Sequence, residues 1–423
     1  MLSKLGHLVS LVIFGVVFTV FSSTLMITAQ TTEVEIWSWR SQDAEVWTQV
    51  EERLKSEGIP VSINFRSFLA TEYDSKINLA LAGGTGPDIV YSRRLPGVRT
   101  QSLIDARLLI PLDGKVDFSN FTSSVLKYIQ SGGSTYGVPF AVQVVGIFYN
   151  KDLYNEYGLS EPETWAELVG NAEILQQNGI TPFFIPGKDA WALVMQHAMS
   201  GVSLLGPDWI ESLTKGEVNF LNPQWIELNR KLNDLKKYYQ PEFLANTVAE
   251  QDASFAFGTA AMVFYGIWGY QTWKEFNPDV SVGYFMVPPD DPGKEPWAYV
   301  YMDGALGLTS SSKNPDMALE VLKFTATPEF GTIFSNVTFN PPAVGGAELP
   351  ADPLFEEVVG ASQEKASPWV YWVGSVFVTG KPSLYDDVLS PGMQAMYAGK
   401  ITPEEFAKEA QDAISQWYEP LKR

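Results

Sequence analysis

The sequence predicts an α/β fold divided into two bodies that ordered crossings of the chain hold together. Three observations carry that prediction. At 423 residues the chain is longer than one ordinary hydrophobic core accommodates, so two domains, or three, are expected. Stretches with strand-like alternation are interleaved with stretches of helical periodicity, the pattern of sheets covered by helices. No tandem repeat or low-complexity linker interrupts them, and the long extended run at 138–149 is the candidate for a strand passing between the bodies.

Each element has a local reason. VEIWSW (34–39) alternates as a strand, and Asp43 is placed to cap a helix that carries Trp47, Val50 and Leu54 before Gly58. VSINFRSF (61–68) is a second strand, after which Tyr73, Ile77, Ala80 and Leu81 share a helical face that Gly83 and Gly84 terminate. PDIVYS (87–92) is a third. Farther on, Pro162 starts a helix whose stripe is Trp165, Leu168, Val169, Ala172 and Leu175, ending at Gly179. Asn314-Pro315 opens a helix through about Thr327, closed by Pro328. Thr402 and Glu405 have capping-box spacing ahead of the stripe Phe406, Ala410, Ala413, Ile414 and Trp417. Strands alternating with helices imply parallel sheets buried on both faces.

Composition narrows the partners. With 45% hydrophobic and 18% charged residues the chain is a folded protein. Its 29 basic against 49 acidic residues give a net charge of -20, which repels nucleic acid and anionic lipid. Lys4 and His7, the apolar stretch Leu8 to Val20, and the small residues up to Ala29 have the order of a secretory signal with cleavage after Ala29; an uncleaved anchor is the alternative reading. Cysteine is absent, so disulfides, thiol chemistry and a lipid-anchor cysteine are excluded, and a free periplasmic or otherwise extracytoplasmic protein is expected.

Catalytic and metal signatures are missing. Beyond the leader the chain has one histidine, His197, too few for histidine triads or zinc clusters, so it reads as structural. Gly83-Gly84-Thr85-Gly86 resembles a phosphate loop, but Pro87-Asp88 follows where Gly-Lys-Ser/Thr is required, which makes it a helix stop. Asp290-Asp291-Pro292-Gly293 lacks alternating calcium ligands and reads as a solvated turn. No cofactor, metal or catalytic residue is expected, and no spacing picks out a carboxylate pair for glycoside cleavage.

Two features point to ligand capture. The chain is 13% aromatic, and Trp39, Trp191, Trp268, Trp369 and Trp372 fall in Gly- or Pro-marked loops instead of helical stripes; a flat ring complements the apolar face of a sugar. The other is Gln143, the single amide inside the buried-looking YGVPFAVQVVGIFYNKDLY (136–154). An unpaired buried amide costs about 1–3 kcal/mol, so Gln143 either has a fixed protein partner or meets a ligand.

EIWSW, GTGPDIV, YGVPFAVQVVGIFYNKDLYNEYGL, PETWAEL, FAFGTAAMVFYGIWGY and DGALGLTSSSKNPDMALEVLKFTATPEF occur in the order seen in the extracellular solute-binding proteins, family 1, of sugar ABC transporters. The chain resembles that family, which includes maltose-binding proteins, over nearly all of its length. The resemblance implies a type II periplasmic binding fold: two α/β lobes joined by hinge strands, with a ligand cleft between them. Lobe one would hold residues 30–143 plus 303–348, and lobe two 144–302 plus 349–423. It implies a monomeric, non-enzymatic carrier that captures a sugar, preferably a neutral oligosaccharide, and delivers it to ABC permease subunits in the membrane. Carried over residue by residue, the ligand contacts would be Trp39, Arg40, Asp88, Tyr91, Arg93, Gln143, Asp189, Trp191, Trp268, Asp303, Gly304, Trp369 and Trp372. The pair Arg93-Arg94 after Ser92 departs from the family pattern and keeps an acidic sugar or sugar phosphate open. Rival readings are an exported polysaccharide-active enzyme and a binder of peptides or inorganic ions.

Overall fold

TEVEIWS forms strand β1 (Thr32–Ser38), with Val34, Ile36 and Ser38 facing the core. It opens the computed structural model of the chain, which describes residues 31–367 and 375–422; the leader-like segment 1–30 and both Trp369 and Trp372 lie outside the described residues. Strands β2 (Val61–Ser67), β3 (Ile89–Arg93), β4 (Gln130–Ser131), β5 (Ser134–Thr135) and β6 (Val138–Pro139) follow. Then come β7 (Val142–Asn150), β8 (Thr181–Phe183), β9 (Ala260–Gly266), β10 (Val282–Phe285), β11 (Tyr299–Met302) and β12 (Gly304–Leu308).

These strands make two five-stranded sheets and one small hairpin, β4–β5. The first sheet has the order β2-β1-β3-β12-β6. β1, β2 and β3 are parallel, as the alternation of strand and helix predicts, whereas β12 returns antiparallel between β3 and β6. The second sheet has the order β10-β7-β9-β8, with β11 also on β7. Here the expectation of parallel sheets fails: β7 pairs antiparallel with β9, β10 and β11, and only β8–β9 is parallel. β7 enters from the first sheet through an extended crossing instead of a helix, so no crossover imposes a parallel direction.

Burial divides the same way. One core joins Val34, Ile36, Trp47, Tyr91, Phe140, Leu306 and Phe334 around the first sheet. β7 alternates between the two faces of the second sheet, with Val145, Ile147 and Tyr149 in one core and Val144 and Phe148 in the other. Gln143, the last residue of the expected lobe one, lies in β7 opposite Tyr301 of β11.

The helices form largely where capping and periodicity place them. Helix α1 (Ala44–Ser56) buries Val46, Trp47, Val50 and Leu54, and α2 (Ala70–Ala82) buries Tyr73, Ile77 and Leu81. Thr402 and Glu405 make the reciprocal capping box. Pro328 does more than close a helix: Thr327 caps a second one at Pro328–Thr338. Asp43 occupies the cap position of α1 without a capping bond, because its carboxylate is held elsewhere.

Two crossings position the cleft. Met302 pairs with Val142 in the second sheet, and two residues later Gly304 pairs with Arg93 at the C-terminal end of β3. The cleft edge of the first lobe is therefore the C-terminal edge of its parallel strands, where ligands of open α/β sheets bind. On the second lobe Gly266, at the end of β9, pairs with Val145 near the start of β7.

Candidate ligand-binding site

The crossing is built on a buried charge network. Arg40, just past β1, is 3% exposed; its Nε lies 2.9 Å from Asp43 Oδ2 and its Nη1 2.9 Å from Asp303 Oδ2. Burial alone lowers the pKa of a guanidinium, but Asp43 and Asp303 outweigh it and hold Arg40 above its ordinary value. Gln143 Nε2 donates to the same Asp303 oxygen at 3.0 Å. The amide in β7 thus has a fixed partner, a carboxylate instead of the backbone. Gln143 Oε1 and Arg40 Nη2 stay buried without a hydrogen bond among the described residues. Gly304 is required beside them, since a Cβ there would lie 2.4 Å from the Ser92 carbonyl oxygen and 2.9 Å from Trp39 Cη2.

On the first lobe the structure brings Trp39 and Arg93 together. Trp39 is half-buried against the edges of Tyr73 and Tyr91, and the Arg93 guanidinium lies 3.6 Å from its ring centroid. Arg93 Nε is 3.3 Å from Asp74 Oδ1, while its two terminal nitrogens make no hydrogen bond among the described residues. The neighbouring basic residue does not add to this fork. Arg94 is buried, donates through Nη1 to the Met302 carbonyl at 3.1 Å and stacks on Tyr301, and Ser92 Oγ donates to the Ala305 carbonyl.

On the second lobe Trp268, Trp191 and the buried Tyr265 form an aromatic group at the cleft end of β9. The Tyr265–Trp268 centroids are 5.0 Å apart and Trp191–Trp268 6.5 Å, with both tryptophans half-buried. Trp268 lies flat over Gly266, where an added Cβ would come within 1.8 Å of the ring. Asp189 is beside them, its Oδ2 accepting from the Val248 amide at 2.9 Å.

Three expected contacts are corrected. Asp88 lies at the opposite, N-terminal end of β3; Oδ2 accepts from the Glu35 amide and Oδ1 from Ser312, Lys313 and Asn314. It fastens the start of a helix instead of facing the cleft. Tyr91 is 1% exposed, its hydroxyl donating to Asp43 and accepting from Trp47 Nε1. Arg40 is enclosed by its ion pairs, so its charge is spent on the hinge. His197 is buried with Nε2 3.0 Å from Asn229 Oδ1, and burial holds its pKa down to about 3. Asp290 pairs with Lys231, and Asp291 folds back on the Gly293 amide as a turn. Among the described residues no group of three or more His, Cys, Asp or Glu is placed to hold a metal ion.

Sequence reasoning passed over the groups that meet across the cleft. Arg99, in α3 (Val98–Asp105), pairs with Asp74 and reaches Asp386 of the second lobe, with its guanidinium 5.3 Å from the Tyr385 ring. Only Tyr301 had a local signal, alternating with Tyr299 and Asp303. A groove of about 640 Å³ among the C-terminal helices, lined by Lys381, Pro382, Asp387 and Pro391, has no aromatic residue and no residue of the crossing strands in its lining.

Two α/β lobes, a pair of extended crossings and polar and aromatic groups on both facing edges define a hinged ligand-binding protein of the type II periplasmic class. Comparison with known proteins gives the family. The profile for bacterial extracellular solute-binding proteins matches residues 45–331, and the chain belongs to that family. Among curated relatives, an uncharacterised ABC transporter extracellular-binding protein of Pyrococcus horikoshii is 26% identical over 81% of this chain and 79% of its own length. The multiple sugar-binding protein of Streptococcus mutans is 26% identical over 56% of this chain and 57% of its own. Among solved structures, a chitin oligosaccharide binding protein superposes with a TM-score of 0.78 at 24% identity, covering 92% of this chain and 99% of that one.

Proposed function

We propose that this protein is the extracytoplasmic substrate-binding component of an ABC transporter, which captures a neutral oligosaccharide by lobe closure and hands it unaltered to a membrane permease. The observation that carries the reading is the pairing of aromatic faces with cancelled charge at the cleft. Trp191 and Trp268 offer apolar plates on the second lobe, and Trp39 with Arg93 offers a stacked donor on the first. The guanidiniums of Arg40, Arg93 and Arg99 are met by the carboxylates of Asp43, Asp303, Asp74 and Asp386. Among the described residues that balance leaves no surplus positive charge for an acidic sugar or a phosphate, whereas hydroxyls suit the Arg93 nitrogens that have no hydrogen bond there. Names of relatives such as the multiple sugar-binding protein support the same class of ligand.

Capture needs no chemistry. A ligand that touches both lobes only when they are closed has a higher affinity for the closed form and shifts the equilibrium toward it; periplasmic binding proteins are the general illustration of such hinge closure. The test is a thermal-shift panel of neutral oligosaccharides, acidic sugars, sugar phosphates and peptides, followed by chromatography of the incubated sugars. A ligand at about 100 times its dissociation constant adds roughly 2.7 kcal/mol of stability. Neutral sugars should raise the melting temperature and be recovered intact; stabilisation by peptides or anions alone, or recovery of shortened sugars, refutes the proposal.

A further inference from the structure

Four charged side chains alternate in sign across the cleft: Arg93, Asp74, Arg99 and Asp386. Asp74, on α2, is the only one that touches two first-lobe arginines, through Oδ1 to Arg93 Nε at 3.3 Å and through Oδ2 to Arg99 Nη1 at 3.0 Å. Arg99 Nη2 spans the gap to Asp386 Oδ1, in the segment Leu384–Leu389 whose Leu384, Val388 and Leu389 belong to the second-lobe core. This last bond joins the two lobes directly.

We propose that Asp74 is a positioning residue that couples ligand contact at Arg93 to closure of the lobes. The inference rests on the sugar-capture reading and adds its regulation. Arg93 is held in place by the Trp39 face and Asp74, with two nitrogens that make no hydrogen bond among the described residues available to a ligand. A ligand that anchors Arg93 fixes Asp74 and, through it, the orientation in which Arg99 meets Asp386. Coupling is reciprocal: the clasp raises ligand affinity by the same factor by which ligand favours the clasp. Arg99 and Asp386 are each about one-third exposed, at 36% and 31%, so the clasp is screened by salt and does not lock the protein shut.

The test is a double-mutant cycle in the full protein, with Asp74→Asn, Asp386→Asn and both together. Dissociation constants are measured by calorimetry at about 0.05 M and about 1 M sodium chloride, for the tightest-binding member of a panel of raffinose, maltotriose and chitotriose. Asp386→Asn should weaken binding about fivefold at low salt and remove most of the salt dependence. In the Asp74→Asn background the same change should have almost no effect, because the clasp is already lost. Arg99→Gln, which leaves the Asp74–Arg93 pair intact, should reproduce Asp386→Asn and serves if Asp74→Asn does not fold. Additive losses, or Asp386→Asn and Arg99→Gln without effect on affinity, overturn the coupling while leaving sugar capture standing. Failure of the unmodified protein to bind any of the three sugars overturns the capture reading, and the coupling with it.

Discussion

Replacing Arg40 by Met should destabilise the protein far more than replacing its partner Asp303 by Asn, although each removes one end of the same ion pair. Counting charge in the buried network gives the reason. Arg40 and Asp43 are 3% and 0% exposed, and the Asp303 side chain is 12% exposed, so one cation serves two carboxylates. Arg40→Met leaves both carboxylates without their cation, and breaking a buried pair in this way costs about 3–5 kcal/mol. Asp303→Asn removes the surplus anion while Arg40 keeps Asp43 on its Nε, so the cost should stay within about 1 kcal/mol. Met retains contact with Phe140 and Phe334, over which the guanidinium lies at 5.5 and 5.6 Å, so lost packing is the smaller effect.

The sign of the pH dependence follows. Burial already raises the Asp43 carboxylate against the lowering effect of Arg40, so in Arg40→Met its folded pKa should lie further above the unfolded value of about 4. The penalty is then complete above the folded value and disappears as pH falls to the unfolded one, changing by about 1.4 kcal/mol per pH unit for each proton taken up. Urea unfolding followed by tryptophan fluorescence at pH 7 and about pH 5 measures both effects. Arg40→Met no less stable than Asp303→Asn at pH 7, or equally destabilised at both pH values, would refute the charge count.

Trp268→Ala should weaken sugar binding by at least about 1 kcal/mol with the fold retained; unchanged calorimetric affinity removes Trp268 from the site. Gly266→Ala should do the same from beneath, since its methyl group would displace the Trp268 ring, at a stability cost of about 1–3 kcal/mol; an unaltered affinity would show that the ring's position does not matter. Asp252, held by Trp273 Nε1 at 2.8 Å, has its pKa pushed up by burial to about 7. A raised carboxylate stabilises the fold below its unfolded pKa of about 4 and loses that contribution as pH rises toward 7. Asp252→Asn should therefore gain stability relative to the unmodified protein between pH 5 and 8, and parallel pH profiles for the two would contradict this.

Local chemistry made much of the fold legible. Period-two alternation marked β1, and the caps at Asn314-Pro315 and Thr402 marked helix starts, because those signals lie within a few residues of the element they govern. The site was less legible because its partners are remote. Arg40 reads as an open loop residue until Asp303 is brought from 263 positions away, and Asp88 until the amides of Lys313 and Asn314 arrive. Tyr91 gave no warning, since residues 89–92 of β3 are all buried and a strand covered on both faces has no alternation to read. Gln143 posed the right question, and its answer was a carboxylate on the returning crossing. Nothing local distinguishes Asp74, Arg99 and Asp386 from solvated surface charges.

The antiparallel return of β12 has a consequence for how the molecule is made. The slot between β3 and β6 is filled by residues 304–308, so the first lobe cannot complete its hydrogen-bonded ladder until the intervening second-lobe stretch 144–302 has been synthesised. Until then β3 presents a bare edge of unsatisfied amides and carbonyls, the kind of surface that pairs with other chains. A polypeptide ended before Gly304 should accordingly aggregate instead of yielding an autonomous amino-terminal half, and assembly of this lobe is obliged to wait on its partner.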